Sequence, residues 1–250
     1  MDASDQSDRP PTHPGVAGRG RSRWLRLAGD LLLIVGGLVL AYPFWSAAYA
    51  QVQQSRLDTT YREQSVAFVE DITADTSSRT HDVPDEEVVR RLAVRYGNKL
   101  ETGAPIGRLR IPRIDIDRLV QQGAKGRKAL DPDEDRALLR NGPVHYGNTP
   151  LPGVGEPFAV SGHRTTYGAP FFKLDKLRKG DAIYVDTPYA RFRYKVARTT
   201  VVDPTDIGVL DDRGYALVLT TCTPPYSAAH RLNVWATLEK ARPSRAARSR

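Results

Sequence analysis

The chain has 250 residues, 40% hydrophobic and 26% charged, which fits one ordinary globular domain plus extra segments. Lys and Arg number 37 against 29 Asp and Glu, a formal net charge of +8, with arginines gathered at both ends: Arg9, Arg19, Arg21, Arg23 and Arg26 at one, Arg242, Arg245, Arg248 and Arg250 at the other. Basic tails meet nucleic acid, an anionic membrane or a wall polymer alike, so charge alone selects no partner, and a single cysteine excludes any internal disulfide.

Residues 1–23 are rich in Pro, Gly, Ser, Asp and Arg and poor in aliphatic side chains, so they are expected to form a disordered basic leader. From Trp24 the composition changes to WLRLAGDLLLIVGGLVLAYPFW, and between Leu27 and Ala50 the only charge is Asp30. A helix of about 20 such residues spans a bilayer. Trp24 stands at one edge, and Tyr42, Phe44, Trp45 and Tyr49 at the other, where amphipathic rings prefer the headgroup level. Arginines precede the stretch and the next follows only at Arg56, so the positive-inside bias places the N-terminus in the cytoplasm and the rest outside. We therefore expect a transmembrane signal-anchor over residues 24–50. The rival is a cleaved signal peptide, since Ala48-Tyr49-Ala50 has the small-x-small form of a cleavage site. Both readings export the remainder. A nucleic-acid partner is not expected, because this topology leaves only the leader in the cytoplasm.

Residues 51–102 are polar and mixed in charge, with helical spacing around Glu86–Tyr96, and are read as an extracellular stalk or helical appendage. From Gly103 the pattern turns to short strands. Period-two alternation runs from Gly107 to Val120 and breaks at Pro112. Further runs are Phe158–Ser161, Ala182–Val185, Arg191–Val202, Ala216–Thr221 and Leu232–Leu238, separated by turns such as Pro152-Gly153 and Lys179-Gly180-Asp181. This predicts a compact all-β barrel or sandwich over residues 103–241 and a disordered basic tail over 242–250.

Two places carry chemistry. In the first, Ala159-Val-Ser161-Gly162-His163-Arg164, a hydrophobic strand ends and delivers His163 to a loop. In the second, Leu219-Thr220-Thr221-Cys222-Thr223-Pro224-Pro225-Tyr226, the sole cysteine sits at a strand lip and Arg231 opens the next strand. A thiolate is a nucleophile, and a neighbouring imidazolium or guanidinium favours its charge. Acyl transfer needs an acid for the leaving amine, which histidine supplies near neutral pH, and a fixed guanidinium stabilises the oxyanion. The residues alone leave bland readings open: a buried inert Cys222, a loop His163, a surface Arg231. His145 and His230 compete for the acid role, although strand alternation turns His230 away from its neighbour Arg231. The acidic run Asp203, Asp206, Asp211 and Asp212 lacks metal-loop spacing and reads as solvated charge, with calcium binding the lesser alternative, and no metal or cofactor is expected. Phe171, Phe172 and Leu174 read as core.

These residues resemble the sortases. Leu219-Thr220-Thr221-Cys222 followed by Arg231 is similar to the sortase signature in which T-L-x-T-C ends one barrel strand and an arginine begins the next. Ser161-Gly162-His163-Arg164 resembles the segment carrying the catalytic histidine. Thr165-Thr166-Tyr167-Gly168-Ala-Pro-Phe171-Phe172 and His145-Tyr146-Gly-Asn-Thr149-Pro-Leu-Pro152-Gly153 resemble class E sortases of Gram-positive bacteria. The resemblance covers roughly residues 104 to 240. It implies a closed β-barrel of about eight strands with short helices, preceded by one transmembrane helix. It further implies that Cys222 forms a thioacyl intermediate at the Thr of a C-terminal sorting motif, that His163 is the acid and base, and that Arg231 holds the oxyanion. Tyr146 and Thr221 would touch substrate, Tyr146 favouring Leu-Ala-x-Thr-Gly or else simply capping the barrel. Partners would be surface proteins bearing sorting motifs, a peptidoglycan-precursor amine and the membrane. Two rivals stand beside this reading. One is an L,D-transpeptidase, whose Ser-His-Gly-Cys-x-Arg cluster is absent because Thr221 and Thr223 flank Cys222. The other is a non-catalytic surface binding module.

Overall fold

The computed structural model describes residues 19–74, 84–126, 132–155, 157–206, 208 and 216–245. The chain divides into two compact units, residues 1–42 and 43–250. Helix α1, Arg19–Ala74, contains Pro43 near the boundary. In the first unit it leaves Trp24, Leu31, Leu32, Leu33, Ile34 and Leu40 exposed, and this helix is long and apolar enough to cross a membrane. Because α1 begins at Arg19, the last residues of the expected disordered leader are helical. The rest of that leader, the end of the expected tail, Asp211 and Asp212 lie outside the described residues.

The second unit is built on eight strands: β1 Pro105–Ile111, β2 Ile116–Gln122, β3 Val144–His145, β4 Phe158–Ser161, β5 Ala182–Asp186, β6 Ala190–Val202, β7 Leu217–Thr223 and β8 His230–Pro243. They close into a barrel in the order β1-β2-β3-β4-β7-β8-β6-β5. Alternation decides which side chains enter it. On β6, Phe192, Tyr194 and Val196 are buried while Arg191, Arg193 and Lys195 stay on the outer side. Phe158 and Val160, Ile183 and Val185, Leu217 and Leu219, and Leu232 and Val234 fill the same interior. Burying each of the larger ones stabilises the fold by roughly 2–3 kcal/mol relative to exposure. Pro112 ends β1, and Asp115 turns the chain with a left-handed φ of 57° into β2. The alternating run predicted from Gly107 to Val120 is thus two antiparallel strands. β8 runs two residues into the expected tail, and Ser244 still donates its N–H to the Tyr189 carbonyl.

Residues 43–74 of α1 and helix α2, Asp85–Gly97, pack against the barrel. Gln54 bonds the backbone of Leu119, Asp58 pairs with Arg108, and the Tyr61 hydroxyl donates to the Asp186 carbonyl at 3.0 Å. Phe68 and Ile72 join the core beside Val89, Ala93 and Tyr96 of α2, whose acidic first turn of Asp85, Glu86 and Glu87 suits the helix dipole. A third helix, α3 Pro132–Leu139, was not foreseen from periodicity, and neither was the two-residue β3. Phe171 and Leu174 are fully buried as expected, whereas Phe172 is 44% exposed because it sits on the outer side of that loop.

Candidate active site

Three neighbouring strands bring the expected residues into one row. β7 and β8 are antiparallel with Cys222 opposite Arg231, a spacing of about 5 Å between Cα atoms. β4 and β7 are parallel, and the register that pairs Ser161 with Thr220 carries, two residues further, to His163 and Cys222. Gly162 extends that ladder by donating its N–H to the Thr220 carbonyl at 3.1 Å. Strand order therefore sets Cys222 beside Arg231 and brings the chain at His163, two residues past β4, to the same end of the barrel. A cleft of about 390 Å³ opens over it, lined among others by Tyr146, Ser161, His163, Thr221, Cys222 and Arg231.

The same face continues away from the cysteine. Ala159, Val218 and Trp235 alternate with the core-facing Phe158, Leu217 and Val234, and they form a second apolar cluster against which Tyr146 packs. Tyr146 is thus both a wall of the cleft and a cover over this outer cluster, with its N–H donated to the Ala159 carbonyl. Thr221 is 1% exposed, and its hydroxyl donates to the Gly162 carbonyl at 2.8 Å, fixing the residue before His163. Gly162 is required there: a Cβ would lie 2.6 Å from the Phe171 ring.

Cys222 is half-buried. No hydrogen bond joins its thiol to the His163 imidazole among the described residues. Burial and, second, the charge of Arg140 push the His163 pKa below the usual histidine value, so the imidazole rests neutral at neutral pH. Arg231 directs Nη1 to the carbonyls of Ala228 at 3.2 Å and His230 at 3.3 Å, holding its guanidinium at the cleft mouth. Such an arrangement supplies a nucleophile, a proton carrier and a fixed cation around one small volume, which is what addition to a carbonyl and expulsion of an amine require.

Of the competing histidines, His145 borders the same cleft and His230 does not. His145 is 1% exposed, stacked on Phe158 at 4.9 Å, with Nδ1 3.2 Å from Gln122 Oε1 and Nε2 2.9 Å from Thr149 Oγ1. Burial drives its pKa down to about 3, so it is a neutral structural ring. His230 is exposed, pairs in register with Thr223 and stands near Asp203, away from the cleft lining. Asp203 accepts from the N–H and hydroxyl of Thr205, and Asp206 accepts from the Gly208 N–H; both are turn-forming carboxylates. No His, Cys, Asp or Glu group suited to hold a metal ion occurs among the described residues.

One residue next to the site escaped sequence reasoning. Arg164 is 4% exposed; Nη1 donates to Thr223 Oγ1 at 2.9 Å and to the Cys222 carbonyl at 3.4 Å, and Nη2 pairs with Asp175 at 3.2 Å. It ties the His163 loop to the strand end that bears Cys222. Its only signal in the sequence was a charge immediately after His163, which reads as solvated.

A closed eight-stranded barrel with a cysteine, a histidine and an arginine on adjacent strand ends defines a cysteine acyltransferase site of the kind sortases carry. Comparison with known proteins gives the family: a sequence model described as Sortase domain matches residues 109–239, and the chain belongs to the sortase family. It is 32% identical over 160 residues to Sortase SrtE1 of Streptomyces coelicolor, covering 60% of this chain and 44% of that protein. It is 27% identical over 251 residues to Sortase SrtE2 of the same organism, covering 90% of this chain and 88% of that protein. The solved SrtF sortase from Corynebacterium diphtheriae superposes with a TM-score of 0.50 at 26% identity, covering 58% of this chain and 90% of that one.

Proposed function

We propose that this chain is a membrane-anchored cysteine transpeptidase that cleaves a C-terminal sorting motif between Thr and Gly and joins the acyl fragment to a cell-wall amine. The observation that carries the reading is the row His163–Cys222–Arg231 across β4, β7 and β8 at one cleft. Cys222 attacks the threonyl carbonyl as the thiolate, its proton having passed to the neutral His163 imidazole. Arg231 stabilises the oxyanion and the substrate backbone, and protonated His163 delivers its proton to the departing glycyl amine. The thioacyl enzyme then accepts an amine, from which His163 takes a proton. Tyr146 borders the groove in which the residues before Thr would lie, and the class E resemblance favours Leu-Ala-x-Thr-Gly.

Of the expected anchor over residues 24–50, the part proposed to cross the membrane is roughly residues 24–43, about 20 residues of helix, with the N-terminus in the cytoplasm and the barrel outside. Supporting that end point, Phe44 and Trp45 are exposed, while Ser46 and Ala50 are buried within the barrel unit.

The experiment uses the full chain in detergent micelles with fluorogenic peptides carrying Leu-Ala-x-Thr-Gly or Leu-Pro-x-Thr-Gly. Cleavage between Thr and Gly that disappears in Cys222→Ala and falls at least about 100-fold in His163→Ala and Arg231→Ala is the expected result. Full activity in any of these variants would remove that residue from its assigned role.

A further inference from the structure

We propose that the turns of α1 from Ser46 to Gln54 pack behind the loop that carries the proposed catalytic histidine and position that histidine through Tyr167. This rests on the assignment of His163 as the proton carrier.

Ser46, Ala50 and Gln54 recur every fourth residue and are 6%, 7% and 9% exposed, a helical stripe turned onto the barrel. Opposite Ala50, the chain passes through three successive left-handed residues: Tyr167, Gly168 and Ala169, with φ of 50°, 75° and 43°. Such backbone costs roughly 1–2 kcal/mol for each non-glycine residue and persists only where its surroundings enforce it. Here the Ala169 N–H donates to the Thr166 carbonyl and the Phe171 N–H to the His163 carbonyl. Gly168 approaches the helix so closely that a Cβ would stand 3.0 Å from the Ala50 Cβ.

The strained turn presents the Tyr167 ring to His163, with centroids 5.3 Å apart and planes inclined by 35°. Behind it, Tyr49 meets Tyr167 edge-on at 6.5 Å. The helix also grips the other loop beside the imidazole. Gln54 Nε2 donates to the Asn141 carbonyl at 2.8 Å, Gln54 Oε1 accepts the Leu119 N–H at 2.8 Å, and the Tyr49 hydroxyl donates to Asn141 Oδ1 at 3.5 Å. Arg140, adjacent to that anchor point, lays its guanidinium over the Tyr167 ring at 5.9 Å and raises the positive potential at His163. The charged and titratable groups around His163 include Arg140 and Tyr167 on one side and Cys222, Arg231, Arg136, His145 and Tyr146 around the cleft.

No strand holds the imidazole, which leaves β4 two residues after its last pairing with β7. Its place is set by Tyr167, and the place of Tyr167 by Tyr49 and Ala50. Displacing a reacting group by about 1 Å can lower a rate about 100-fold, so a modest loosening has a measurable effect.

The test compares the full chain in micelles with Tyr49→Leu, Tyr167→Ala, the double variant, and the phenylalanine forms of both. Tyr49 is 38% exposed, so Tyr49→Leu leaves the fold intact. With the preferred peptide, kcat should fall about tenfold for Tyr167→Ala and about threefold for Tyr49→Leu, with KM within about twofold. The double variant should be no worse than Tyr167→Ala, because Tyr49 acts through it. The phenylalanine forms should restore kcat. Labelled histidine, of which the chain has five, reports the His163 ring directly by NMR, and its signal should move in both substituted forms. An unmoved His163 signal in Tyr49→Leu, or losses that multiply in the double variant, overturns the proposal. If the wild-type chain cleaves nothing, the catalytic reading fails, and the NMR arm alone decides whether α1 positions the ring.

Discussion

Arg164 carries a full charge into a place where 4% of it meets solvent, and its partners explain how that is tolerated. Asp175 balances the charge, while Thr223 Oγ1 and the Cys222 carbonyl accept from Nη1. Arg164→Met should destabilise the fold by about 1–3 kcal/mol through the lost buried hydrogen bonds, read by denaturant unfolding. It should also lower activity, because the strand end holding Cys222 loses its tie. Arg164→Lys keeps the charge but cannot fork between Thr223 and Asp175, so it should recover only part of either loss. His145 sets a second residue-scale expectation. Its folded pKa, near 3, lies below the unfolded value of about 6.5. Above pH 6.5 both states are neutral there, and its burial is fully compatible with folding. As pH falls from 6.5 toward 3, the unfolded chain takes up a proton that the native ring refuses, so stability should drop by about 1 kcal/mol per pH unit. Unfolding measured at pH 6.5 and 4.5 should reveal a steeper slope in the wild type than in His145→Gln, where His163, also lowered, still contributes. Equal slopes would contradict the burial account.

At the scale of elements, much of the barrel could be read directly because alternation is a local property. Phe158–Ser161 coincides with β4, and the runs at Ala182, Arg191 and Leu232 lie within β5, β6 and β8. What alternation does not encode is the neighbour of each strand. The parallel pairing of β4 with β7, on which the site depends, skips over β5 and β6. β3, with two residues, carries no period at all, and α3 is too short to declare one. The proposed site residues could be picked out for a different reason: His163, Cys222 and Arg231 each stand at or beside a strand end, where packing does not call for a polar side chain. Arg164, Tyr167 and Gln54 were illegible because their roles exist only through partners more than 50 residues away or across a folded turn. The junction of β4 with its loop gives an element-scale prediction. Gly162→Ala would drive a methyl into the Phe171 ring, so the turn delivering His163 must shift. Stability should fall by about 1–3 kcal/mol. The rate of peptide cleavage should fall more than about tenfold, as a misplaced proton carrier requires. A Gly162→Ala enzyme with wild-type kcat would show that the close approach to Phe171 is slack.

For the whole molecule, one long helix serves two units of different character. Up to Tyr42 it exposes leucine, isoleucine and valine; beyond Pro43 it enters the core of the barrel unit through Phe68 and Ile72. The catalytic barrel is thus inseparable from the polar half of its own helix, which is a reason to assay the full chain. The central claim is that Cys222 forms a covalent acyl link with a sorting peptide. It is tested most directly by mixing the full chain in micelles with excess Leu-Ala-x-Thr-Gly peptide, quenching in acid before an amine acceptor is added, and weighing the intact protein. The account predicts a mass increase equal to the peptide up to and including Thr less one water, located on Cys222, absent in Cys222→Ala, and removed by an added amine. An unchanged mass in a folded chain whose thiol reacts with iodoacetamide, with no cleaved peptide, would contradict it.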